Sequence, residues 1–175
     1  MHVNPRILIA TALAALVTAS AAAQTPTRLV VMRDGVAPAA PVDSLHVAAV
    51  LRSADALAAD GHLREAIRSL RSVASEQTAA GDYAGESLRR LANLQFGVGD
   101  EFQAANTLDE LADAAQTFGD PPTRLRALFD AALVYQGLKL YDRVPERVRQ
   151  AKLLLKSPAI DERLRSDIAS RMLKA

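Results

Sequence analysis

The 175-residue chain has no cysteine and no tryptophan, and only 4% of it is aromatic. Without cysteine there is no disulfide, no thiolate metal site, no cysteine nucleophile and no covalently attached haem. The lipid-bearing cysteine of a bacterial lipoprotein is missing too. Stability must therefore come from packing alone. Strands favour aromatic and β-branched residues, but the apolar half of this sequence is mostly Ala, Leu and Val. Small side chains of this kind suit close helix-on-helix packing. An excess of one charge is also lacking. The formal net charge is +1, so no global field draws the chain to nucleic acid.

No acidic residue occurs before Asp34. Residues 1–23 read as a secretory signal peptide: Arg6 is the positive n-region, Ile7 to Val17 an apolar h-region, and Ala21-Ala22-Ala23 a small-residue cleavage site before Gln24. The competing reading is a retained anchor, but the weakly apolar run falls short of the roughly 20 residues needed to span a bilayer. The expectation is an exported protein, periplasmic or extracellular and bacterial, with no membrane span after cleavage. Beyond the signal the balance is uneven. Residues 24–120 carry 8 basic and 14 acidic residues, a net of −6, and residues 121–175 carry 12 basic and 6 acidic, a net of +6.

Residues 24–42 form an extended leader. It holds a short β-like run, Leu29 to Met32, then Asp34-Gly35, with Pro38 and Pro41 opposing helix. From Asp43 the apolar period becomes helical. Gly-Asp pairs recur at Gly81-Asp82, Gly99-Asp100 and Gly119-Asp120, and Gly61 adds a fourth break. The pairing has a mechanism: Gly takes the left-handed position that ends one helix, and Asp accepts from the free N–H groups that begin the next. Pro121 behind Asp120 and Ser157-Pro158 are further start signals. The spacing predicts helices over 43–60, 63–80, 83–98, 101–118, 121–138, 142–156 and 158–173. The last has a single apolar stripe, Ile160, Leu164, Ile168 and Met172, as suits a capping helix over 159–175.

Taken in pairs, these helices repeat. One pair shows Leu128, Ala131, Ala132 and Tyr135, then Tyr141, Val144, Val148 and Ala151, with Pro158 beyond. Another shows Val50, Ala54 and Leu57, then Gly61, Leu63, Ala66, Leu70 and Val73. The middle pair shows Leu88, Leu91 and Ala92, then Phe102, Ala104, Leu108 and Leu111, with one extra residue in its turn. This pattern resembles the tetratricopeptide repeat. Ala66, Ala104 and Val144 lie 38 and 40 residues apart, so the resemblance is to a longer variant than the usual unit of about 34 residues. It covers residues 43–158. The alternative is a generic antiparallel helical bundle. The resemblance implies an all-α fold: a right-handed stack of three helical hairpins, a TPR-like α-solenoid with a C-terminal capping helix.

Signals for chemistry are weak. Asp43, Ser44 and His46 include triad residue types, but they crowd a helix start, where Asp and Ser simply cap. His46 and His62 do not make a zinc site by spacing. Asp109, Glu110 and Asp113 suit a solvated helix face better than a cation site. No cofactor, metal ligand or catalytic residue is expected, and the chain is not read as an enzyme. Arg143 and Arg147, and Arg149, Lys152 and Lys156, form basic faces. They suit either solvent or an acidic partner, including another copy.

The resemblance also implies a concave groove lined by the first helix of each hairpin. Its residues are Leu51, Asp55, Arg89, Asn93, Arg126, Phe129, Asp130 and Leu133. Arg89 and Asn93 resemble half of the family's carboxylate clamp, but Asp130 would repel a carboxylate, so the groove carries over and the clamp does not. The implied function is an exported scaffold that binds a protein or peptide of the cell envelope, without catalysis and without nucleic acid. The alternative is self-association through the acidic and basic halves.

Overall fold

The recurring glycines dictate where helices stop. A computed structural model describes residues 40–172. They form seven α-helices: α1 Ser44–Ala59, α2 Leu63–Ala80, α3 Gly85–Gly97, α4 Glu101–Thr117, α5 Pro121–Gly137, α6 Val144–Leu154 and α7 Glu162–Met172. One 3-10 turn, Tyr141–Arg143, leads into α6, and no strand occurs among the described residues. The fold is all-α. The signal segment, and the leader up to residue 39 with its β-like run, lie outside the described residues.

The first five helices end in the same way. The N–H groups of His62, Asp82, Asp100, Asp120 and Leu140 donate to the carbonyls of Leu57, Gln77, Gln95, Ala115 and Tyr135 at 2.7–2.9 Å. This Schellman geometry satisfies carbonyls left over at a helix end and needs a left-handed residue at its centre. Four of the five centres are the glycines read from the sequence: Gly61, Gly81, Gly99 and Gly119, with φ between 68° and 82°. The fifth is Lys139, at φ 62°, which sequence reasoning did not find because lysine gives no turn signal.

The aspartates behave less uniformly than their pairing with glycine implied. Asp43 and Asp120 do cap helices, accepting from the Leu45 N–H at 2.9 Å and the Thr123 N–H at 3.1 Å. Asp100 makes no side-chain cap bond. Asp82 instead accepts from the Val42 N–H at 2.8 Å, fixing the chain's entry to α1 against the α2–α3 junction. Two helix starts also differ. α3 begins at Gly85, not 83, because Tyr83 stays outside the helix, stacks on Phe118 at 5.1 Å and donates its hydroxyl to Asp120. α7 begins at Glu162, not 158. Ile160 turns inward, only 2% exposed, and Asp161 accepts from the Leu164 N–H at 2.8 Å. The Arg165 guanidinium holds that loop by donating to the carbonyls of Leu155, Ser157 and Ile160.

Consecutive helices from α1 to α6 pack on one another, and α7 packs on α5. Alanine makes this close approach possible: Ala54, Ala66, Ala92, Ala104 and Ala132 are each at most 2% exposed. Polar side chains set the register inside. The Ser87 hydroxyl donates to Gln77 at 2.6 Å, and the Thr107 hydroxyl to Gln95 at 2.8 Å. No buried side-chain nitrogen or oxygen among the described residues lacks a partner, so these contacts are free of the 1–3 kcal/mol or so that an orphaned polar group costs.

Candidate functional site

Contacts also link helices two apart. Arg90 on α3 pairs with Asp55 on α1. Tyr83, just before α3, bonds Asp120, the cap of α5, at 2.9 Å. Arg171 on α7 pairs with Asp130 on α5 at 2.9 Å. On the other side, the Arg147 Nε on α6 donates to Asp109 on α4 at 2.7 Å. Single side-chain contacts therefore link α1 to α3, the residue before α3 to the cap of α5, α5 to α7, and α4 to α6.

The groove residues read from the sequence lie on α1, α3 and α5, but they do not share one state. Asn93 and Arg126 are exposed. Arg89 is exposed and already engaged, donating to Glu86 from Nε and Nη2 at 2.7–2.9 Å. Asp55 is held by Arg90, which also donates to Glu86 at 2.7 Å. Burial opposes ionisation of Glu86, but its bonds to Arg89 and Arg90 win and hold the carboxyl below its ordinary value. Leu51 packs into the first hairpin's core, and Leu133 is half-buried against the largest core cluster.

Phe129 is a correction. It is 2% exposed, and the Arg171 guanidinium covers its ring at 4.8 Å. α7 packs on α5 at this point, so Phe129 is core and Asp130 belongs to the α5–α7 contact. An exposed aromatic on these helices is Phe96, at 55% exposure. It was legible in principle. Arg89, Asn93 and Phe96 recur at helical spacing on the exposed face of α3, whereas Phe129 drew attention through the repeat register.

A second cluster centres on Tyr135, which is fully buried. Its hydroxyl bonds Asn106 at 3.0 Å and Asp109 at 2.9 Å. Arg143 and Arg147 stand over its ring at 5.5 and 4.5 Å. Burial first, then Asp109, raises the Tyr135 pKa. The pair with Asp109 raises that of Arg147 against the opposing effect of burial. These groups satisfy one another and join α4, α5 and α6. Asp109 is thereby committed to a structural role, and no group of three potential metal ligands occurs among the described residues. Near α1, Asp43 is a cap, and His46 Nε2 lies 3.4 Å from Glu76 rather than against Ser44.

No family model, curated protein or solved structure matches the chain.

The turns at one end complete the surface. An open cleft lined by Gly61, His62, Val98 and Asp100 sets the α1–α2 turn beside the α3–α4 turn. Arg143 stands 5.9 Å from the Phe102 ring, bringing the α5–α6 turn beside the start of α4. Phe96, Val98, Phe102 and Tyr141 are all exposed here, from 40% to 62%. Sequence reasoning placed Phe102 and Tyr141 as turn residues of the repeat and did not see that they gather at one end.

Proposed function

We propose that the protein is an exported, TPR-like interaction scaffold whose three hairpins form a right-handed stack closed by α7. It binds a protein or peptide of the cell envelope on the face shared by α1, α3 and α5, and performs no catalysis. The observation that carries this reading is the linkage of odd helix to odd helix, through Arg90–Asp55 and Tyr83–Asp120. A helical array presents one continuous concave surface when its alternate helices lie side by side. The binding residues are then Asp55, Arg89, Asn93 and Arg126, joined by Phe96 and the exposed edge of Leu133, with Phe129 removed and Leu51 supporting from below.

A photo-crosslinking residue at Asn93 or Arg126 tests this in the exporting cell. One defined adduct is expected from both sites and none from Arg71 or Gln116 on the even helices. Equal labelling from all four positions would exclude a groove. The second reading, head-to-tail association through the −6 and +6 halves, draws on α4, whose four charges, Glu101, Asp109, Glu110 and Asp113, are all acidic. Arg147 already neutralises Asp109 within the chain, so the charge offered to another copy is smaller than the sequence count implies.

A further inference from the structure

Exposed apolar side chains on this molecule are not scattered. Among the described residues, four of the seven large ones lie at the end that carries the α1–α2, α3–α4 and α5–α6 turns: Phe96, Val98, Phe102 and Tyr141. Aromatic residues exposed together mark an association surface, whereas single ones are ordinary. The charges around them are sorted between two of the turns, while Arg64, Glu65 and Arg68 line the cleft at the α1–α2 turn. The α3–α4 turn carries Asp100 and Glu101, and the α1–α2 turn beside it carries Asp60. The α5–α6 turn carries Lys139 and Arg143 with one acid, Asp142. Phe102 stands at the boundary, with Arg143 near its ring. Asp100 is exposed and caps no N–H group, and Lys139 is exposed just beyond the end of α5.

An acidic turn and a basic turn flanking an apolar strip make a self-complementary surface. Rotating a second copy by half a turn about an axis near Phe102 sets Asp100 and Glu101 of one copy against Lys139 and Arg143 of the other. It also lays the two apolar strips together. A bilayer fits less well, because acids and bases are mixed here and the acids slightly outnumber the bases. We infer that this turn end is the interface of a two-fold symmetric dimer of the chain. Such a contact is isologous and closes on itself, unlike the head-to-tail pairing of halves, which would extend. It leaves Arg89, Asn93 and Arg126 open and shares only Phe96 with the proposed binding face, so crosslinking from Asn93 or Arg126 and the dimer test remain distinguishable.

Sedimentation equilibrium of the full chain, as it accumulates in the expressing cell, tests the inference across micromolar concentrations and a salt series. A dimer and nothing larger is expected. Tyr141→Ser, at a 62% exposed position, should leave the helical circular dichroism intact and weaken the dimer by about tenfold or more. Lys139→Glu alone and Asp100→Lys alone should each weaken it about tenfold, and the two together should restore it. A wild-type chain that stays monomeric throughout overturns the inference. So does a dimer that ignores Tyr141→Ser, or a double charge swap no better than either single change.

Discussion

The first and third hairpins are built alike and buried very differently. α1 buries one residue, Ala54, whereas α5 buries seven, from Leu125 to Tyr135. Their sequences do not explain the gap, since α1 has the higher mean apolar content. Neighbours do. Among the described residues α1 packs on α2 and reaches α3 through Asp55, while α5 is enclosed by α4, α6 and α7. In a chain of hairpins burial is conferred by position, so stability should rise from the first hairpin towards the third.

The sharpest way to break that gradient is to remove matched leucines. Leu125→Ala, at a fully buried site, should cost about 3 kcal/mol, and Leu57→Ala on α1, only partly buried, about 1 kcal/mol. Urea unfolding with a fixed m-value measures both. Equal losses would mean that α1 is as well enclosed as α5. Ion pairs give a second, smaller contrast. Asp109→Ala takes the carboxylate from Arg147 in a partly buried site, where the pair's side chains are 26% and 19% exposed, and leaves the Tyr135 hydroxyl to Asn106 alone. It should cost about 2 kcal/mol. Asp55→Ala removes a pair whose acid is 61% exposed and should cost well under about 1 kcal/mol. If Asp55 proves the costlier of the two, α1 and α3 are held by that bridge and not by packing.

Much of this was written in the sequence, and the exceptions share a cause. Gly61, Gly81, Gly99 and Gly119 announced four of five helix ends because only glycine adopts the left-handed conformation without strain. The buried alanines followed from helical period. What escaped were facts created by distant contacts. Phe129 looks like a groove residue until α7 folds over it. Asp82 looks like a cap until Val42 claims it. Tyr83 looks like the first residue of α3 until Phe118 and Asp120 hold it aside. The turn-end cluster escaped because its members are up to 45 residues apart in sequence.

Lys139 offers a finer test at the top of the gradient. A left-handed non-glycine residue is strained by roughly 1–2 kcal/mol. Lys139→Gly should recover part of this, raising stability by about 1 kcal/mol, measured by thermal melting. No gain would mean that the lysine stem repays the strain through contacts of its own. Because Lys139 also belongs to the inferred dimer interface, the melt is best run at concentrations below dissociation.

The smallest effect is the most informative about how hairpins are joined, because one hydrogen bond carries two opposite pH signatures. Burial disfavours the charged form of Asp120, yet bonds from Thr123 and Tyr83 hold its pKa below the ordinary 3.8. Its contribution to stability is therefore full above about pH 4 and is lost as pH falls through the lowered value. Burial, then Asp120, pushes Tyr83 from 10.0 up to about 12. A raised acid keeps its stabilising, neutral form below pH 10 and loses that contribution as pH climbs towards 12. Asp120→Asn should flatten the acid limb of the stability profile and Tyr83→Phe the alkaline limb, each by under about 1 kcal/mol. Tyr135, raised for similar reasons, keeps the alkaline limb from vanishing. Were Tyr83→Phe to leave both limbs unchanged, the Tyr83–Asp120 bond would not be what couples α3 to α5, and the stacking of Tyr83 on Phe118 would have to carry that junction alone.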